Sequence, residues 1–213
     1  MNKAILASLT MSVALLLSVC SMDANASSEV TLVDEFNYQG QQVVLDMDVG
    51  RAELIASDDE QVRVEVSVKA SDTNWLSFWS NKDVTTVTLA VVDSSDKLVL
   101  KLSEQDDLNQ DWRIYLPRHA KLKVDAGVGE VIVDGLSASI DIDLGVGRTE
   151  IKHQAQYGEM TLKSGVGEVS ISENGKALAV DRNLVSQSFH KQQSGSDEQL
   201  YVSVGVGEIS VNN

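Results

Sequence analysis

The chain has 213 residues, with 17 Lys and Arg against 32 Asp and Glu and a formal net charge of −15. An acid excess of that size excludes nucleic acid or an anionic membrane surface as the main partner, since both would repel it. A single cysteine excludes a disulfide scaffold within the chain and a Cys-x-x-Cys metal site.

The first predicted element is a leader. Lys3 precedes an uncharged, largely apolar run over 4–19, and Ala24-Asn25-Ala26 follows. This reads as a secretory signal peptide, residues 1–26, cut after Ala26. The run is shorter than the roughly 20 residues a bilayer core needs. Lipidation at Cys20 is the alternative, but Val19 stands where such a site wants a small residue. Cleavage after Ala26 leaves residues 27–213 as a single domain with no cysteine, hence no disulfide and no thiolate nucleophile. The acidity is uneven, because 27–110 carries 6 basic and 17 acidic residues. Cations would collect there, although a solvated surface accounts for the charge without any ligand.

Residues 41–69 read as strands, with a turn at Gly50, an acidic turn at Asp58-Asp59-Glu60, and Val62, Val64, Val66 and Val68 in strict alternation. In 72–83, Trp75, Phe78 and Trp79 cluster among Ser and Asn. These rings either fold back to cap an open edge, the preferred reading, or stand exposed as an anchor for a partner. Residues 86–92 and 97–102 read as a hairpin about Asp93-Ser94-Ser95-Asp96. A polar loop over 104–111 then leads to a strand with Trp112, Ile114 and Leu116 on one face, ended by Pro117.

From Ala120 onward a repeat takes over. Val128-Gly129, Val146-Gly147, Val166-Gly167 and Val206-Gly207 share their surroundings with the earlier Val49-Gly50. Two, four and six places upstream of each Val stand apolar or small residues, such as Ile140, Ile142 and Leu144, with Ser164 the polar exception. Downstream the parity changes, and the inward positions fall three and five places after the Val, as at Val131 and Val133. Strand side chains alternate with a period of two, so a shared slip at glycine predicts a corner or bulge in every copy. The glycine intervals are 18, 20, 40 and 79 residues, read as one, one, two and about four steps of a stacked unit. One such unit buries too little to fold alone. Residues 181–199 read as a polar loop thrown out of the repeat. The fold class expected is all-β: a β-solenoid with Gly-Val-Gly corners about every 18–20 residues and hairpins in the N-terminal half.

Chemical motifs are sparse. Gly127-Val128-Gly129 lacks the third glycine and the following helix of a dinucleotide loop. The 18-residue spacing also raises a left-handed hexapeptide β-helix, but 128–146 lacks an aliphatic residue at every sixth place. Ser94-Ser95-Asp96-Lys97 falls in a turn, whereas a Ser-x-x-Lys hydrolase needs a helix start. His119, His153 and His190 have no partner near them in sequence and are expected at the surface. Asp58-Asp59-Glu60 and Asp106-Asp107 offer hard oxygen ligands but no calcium-loop spacing. No catalytic residue, cofactor or metal is therefore assigned.

The stretch 43–55, the strand Arg113-Ile114-Tyr115-Leu116-Pro117 leading into 120–125, and the serial Gly-Val-Gly copies resemble the bacterial "putative adhesin" β-solenoid family, over roughly residues 40–213. That resemblance implies a secreted or envelope-facing module of stacked parallel strands with no catalytic residues to carry over. The expectation is a non-enzymatic cell-envelope binding or scaffold protein, exported, periplasmic rather than surface-located, and with an envelope or extracellular partner. Once cut, it would have no stable membrane insertion. The competing function is a glycan-active enzyme using acidic residues of the N-terminal half. Two structural expectations complete the reading: valine at Gly147 or Gly167 destabilises, and the 187–199 loop shortens without loss.

Overall fold

The computed structural model describes residues 29–71 and 83–213. Their strands are β1 (Glu29–Asn37), β2 (Gln42–Ser57), β3 (Gln61–Ala70), β4 (Leu89–Asp93), β5 (Lys97–Leu102), β6 (Leu108–Pro117), β7 (Leu122–Asp134), β8 (Ile140–Lys152), β9 (Glu159–Glu173), β10 (Lys176–Ala177), β11 (Asp181–Arg182), β12 (Gln187–Gln192) and β13 (Gln199–Asn212). The all-β class holds: among the described residues the only helical element is one 3₁₀ turn, Val84–Thr86. Residues 1–26, where a leader is expected, and with them Cys20, lie outside the described residues, as does the Trp75, Phe78 and Trp79 cluster.

Five long strands carry the five glycine-centred segments and lie parallel in the order β2, β7, β8, β13, β9. Their register matches Val to Val and Gly to Gly: Val49 with Val128, Val128 with Val146, Val146 with Val206, and Val206 with Val166. Both halves of each strand bury side chains in one core cluster, and the burial phase changes at the Val-Gly pair as expected. Leu122, Val124, Val131 and Val133 of β7 are all fully buried.

The sheet divides at both ends. The first half of β2 pairs with β5, which carries β4, whereas its second half pairs with β6, which carries β3 and then β1. At the far end the first half of β9 pairs with β12 and its last residues with β10. Trp112, Ile114 and Leu116 of β6 and the alternating valines of β3 point into the same core. Trp112 Nε1 donates to Gln110 Oε1 at 2.9 Å, which lets the indole be wholly buried.

Three expectations need correction. The 79-residue interval is not four steps, because Gly50 and Gly129 are direct neighbours and β3 to β6 leave and return between them. The 40-residue interval hides no degenerate copy: β13 inserts between β8 and β9, so the stacking order departs from chain order. The stretch 181–199 is not simply a loop, since β12 runs antiparallel along β9 with Phe189 opposite Leu162 and packed on the core. Phe189 supplies the apolar contact, Gln187 Oε1 accepts from Val169 N–H at 3.0 Å, and His190 and Gln192 are exposed.

Candidate functional site

The three histidines are dispersed. His119 is exposed beside Glu60 at 3.6 Å and edge-on to Tyr38, and His190 meets the Thr161 hydroxyl at 3.1 Å. His153 is buried, contrary to expectation, because the chain after β8 turns inward and its ring packs on Tyr157 at 4.8 Å. Its Nδ1 donates to the Ala155 carbonyl at 3.0 Å, which leaves Nε2 a buried acceptor without a partner. Burial holds its pKa below the usual histidine value, against the opposing pull of the Ala155 carbonyl and Glu173. Burial likewise raises the Tyr157 hydroxyl, with Glu198 adding to it.

The acidic turn disperses its charge. Asp58 pairs with Arg118 at 2.9 Å, Asp59 with Arg63 at 2.8 Å and Glu60 with His119 at 3.6 Å. Among the described residues no group of three or more His, Cys, Asp or Glu is arranged to hold a metal ion. Ser94 sits in its hairpin turn, where its hydroxyl donates to the Lys97 carbonyl and does not face the lysine amine. Ser164 is a core residue whose hydroxyl donates to the Gly207 carbonyl at 2.8 Å.

What the fold builds outside the core is a ridge. Val49, Val128, Val146, Val206 and Val166 are each 36–48% exposed, although valine is a residue the core would accept. Their shared register sets them in one line across five strands, about 19 Å long at the usual inter-strand spacing. Strips without side chains flank the line. Gly50, Gly129, Gly147, Gly207 and Gly167 follow the valines, and Gly127, Gly145, Gly205 and Gly165 precede four of them, with Asp48 completing that row on β2. On four of the five strands the valine methyls therefore stand above bare backbone on both sides, and on β2 Asp48 takes one of these places.

Beyond the glycines the two borders differ. On one side Asp46, Asp125 and Asp143 stand in register and, with Asp48 and Asp106, line an open trough of about 780 Å³. Lys123 bridges the carboxylates, at 3.0 Å from Asp125, 3.3 Å from Asp141 and 3.6 Å from Asp143. Partial burial disfavours its charge, but the hydrogen bond to Asp125 and the fields of Asp141 and Asp125 outweigh that and raise its pKa. Asp125, Asp141 and Asp143 thus converge on a single ammonium, which offsets part of their negative charge. On the other border Arg51 pairs with Glu130 at 3.6 Å and Arg148 with Glu208 at 3.0 Å.

The sequence carried the signal for this ridge in the valine that accompanies every glycine. In the sequence it marks only the repeat, since periodicity alone does not reveal which face the valine takes where the alternation changes phase.

Fold and surface together define an all-β protein built on glycine-punctuated parallel strands, with an ordered outer face. The chain belongs to the family of the N-terminal domain of toast_rack, DUF2154, whose profile matches residues 22–172. That match bears out the family resemblance read from the sequence, and it ends within β9, before β13. No curated protein matches the chain at a significant level. Similar solved structures include a "putative cell adhesion protein" from Clostridium sporogenes, with 15% identity, 86% of this chain and 99% of that chain covered, and a TM-score of 0.45. A "putative adhesin" from Bacteroides fragilis covers 85% of this chain and 97% of its own, at 10% identity and a TM-score of 0.25. Among the described residues no helix is long and apolar enough to cross a membrane.

Proposed function

We propose that the protein is a non-enzymatic, exported binding or scaffold module of the cell envelope, adhesin-like, whose contact surface is the valine ridge. The observation that carries this reading is the alignment of five half-exposed valines in one register, flanked by glycine at every position but Asp48. Isolated exposed apolar residues need no explanation, but a continuous row invites a partner. In this reading the glycine-centred segments are the corners of a solenoid-like stack, supported by the change of burial phase at each. Export to the periplasm, rather than display on the surface, rests on the signal peptide read in residues 1–26. The cluster Trp75, Phe78 and Trp79 is proposed as a second contact on its sequence alone.

The test is binding of envelope fractions by the full chain and by Val128→Ser/Val146→Ser. Loss of binding with an unchanged melting temperature supports the ridge. Retained binding by that double variant, with loss in Trp75→Ala/Trp79→Ala, transfers the role to the aromatic cluster. Protease treatment of intact and opened cells checks location: protection until the outer envelope is opened supports the periplasm.

A further inference from the structure

Among the described residues β1 is the outermost strand on one side of the sheet. Its register with β3 runs without a break from Glu29 opposite Lys69 to Asn37 opposite Gln61, and among the described residues no strand pairs with its other side. The backbone groups that face outward can be assigned. Tyr38, just past the strand, extends the ladder by donating to the Glu60 carbonyl, which turns the even-numbered residues toward β3. Glu35 N–H finds its acceptor in the Asp34 side chain, Oδ1 at 2.8 Å, as an odd-numbered residue facing away from β3 would. The odd-numbered set is Glu29, Thr31, Val33, Glu35 and Asn37, and Val33 at its centre is 75% exposed. The strand contains neither proline nor bulge, two of the usual means of blunting an edge.

We propose that β1 is a self-pairing edge: two copies of the chain join antiparallel through β1, with the two-fold axis at Val33. Only registers that set odd-numbered residues opposite odd-numbered ones keep the inner and outer faces continuous. Centred on Val33, Thr31 meets Glu35 of the second copy, Glu29 meets Asn37, Leu32 meets Asp34 and Val30 meets Phe36, so no acid faces an acid. Val30 and Phe36, both packed on the core, then extend the apolar layer across the axis. A shift of the axis to residue 32 sets Glu29 opposite Glu35, and a shift to 34 sets Asp34 opposite itself; each is a like-charge pair. The arrangement is isologous, with one patch serving both copies.

Asp34 opposes the association. Its side chain occupies the Glu35 N–H that would donate to the Thr31 carbonyl of the second copy, so pairing requires that bond to open. A net charge of −15 on each copy adds long-range repulsion, which salt screens. The dimer therefore strengthens with ionic strength and with removal of the Asp34 carboxylate.

The experiment uses the full chain with Cys20→Ser, which leaves any introduced cysteine as the only one. At the axis, Cα atoms of a hydrogen-bonded antiparallel pair are about 5.5 Å apart, inside the roughly 4.4–6.8 Å range of disulfides. Val33→Cys is expected to give disulfide-linked dimers under mild oxidation, at least tenfold faster in high salt than Thr31→Cys, whose two copies would be about 14 Å apart. Thr31→Cys/Glu35→Cys is expected to cross-link as readily as Val33→Cys. Without any introduced cysteine, sedimentation should show a dimer that Asp34→Ala tightens and Val33→Pro abolishes. The proline removes an outward N–H and leaves the β1–β3 ladder intact, so its circular dichroism should be unchanged. Equal cross-linking of Val33→Cys and Thr31→Cys, or a monomer at every concentration and salt level, would overturn the proposal.

Discussion

A β-carbon placed on Gly147 would lie 1.8 Å from the carbonyl oxygen of Gly129 on the neighbouring strand. Gly147 also has φ +144°, a conformation that residues with side chains rarely adopt. Gly147→Ala should therefore cost about 3 kcal/mol or more, combining backbone strain and overpacking. Gly175 is the control: its φ is +72° but nothing lies within 4 Å of the added carbon. Gly175→Asn, which tolerates that conformation, should cost less than about 1 kcal/mol. Urea midpoints measure both, and equal losses would remove the steric argument.

Thr149 is the one polar side chain in an otherwise apolar row. It is fully buried between Val131 and Ile209, its hydroxyl has no hydrogen-bond partner, and Val169 lies one strand further on. Thr149→Val keeps the shape and removes the unsatisfied group, so it should stabilise the protein by about 1 kcal/mol. A loss in thermal or chemical denaturation would show that the hydroxyl is satisfied by something else.

His153 makes stability depend on pH. Its folded pKa lies below the ordinary value of about 6.5, so on acidification the unfolded chain takes up the proton first. Stability from this residue is complete above that ordinary value. It declines as pH falls below it and levels off once the lowered folded pKa is passed. His153→Phe keeps the ring against Tyr157 and removes the titration, so its melting temperature should fall less than the parent's between pH 7.5 and 5.5. Identical slopes would locate the acid sensitivity elsewhere.

Removal of 187–192 should destabilise the protein, since it strips β12 from β9 and uncovers Leu162 and the Phe189 contact. Phe189→Ala alone should cost roughly 1–3 kcal/mol, less than a fully buried phenylalanine would. The turn beyond it is the better place to shorten: at Gly195 an added carbon meets nothing, and deleting 194–195 should shift the urea midpoint little.

The sequence revealed faces far better than neighbours. Alternation and its slip at glycine assign Leu45, Met47, Ala52 and Leu54 to the core, and even polar Ser164 and Thr149 fall inward where the repeat places them. Period is a local property and survives in any one strand. Neighbour order is not local: five segments with the same pattern could pair in several ways. The contacts that favour β13 between β8 and β9, such as Arg148 with Glu208, Lys163 over the Tyr201 ring and Ser164 on the Gly207 carbonyl, are individually small. His153 was misplaced because its burial depends on where the chain goes after β8. The ridge is not legible in the sequence, because alternation changes phase at the Val-Gly pair and does not assign the central valine to a face.

The position of β13 sets a timetable for assembly. A chain made from its N-terminus has β8 and β9 available before residues 199–212 exist, yet in the finished sheet these two strands are not neighbours. Until β13 arrives they must stand two strand spacings apart, about 10 Å, with an unfilled slot between them, or pair wrongly and separate again. A partly synthesised chain thus carries two open parallel edges in the middle of its sheet, and β13, made after both, is the strand that locks β8 and β9 in place.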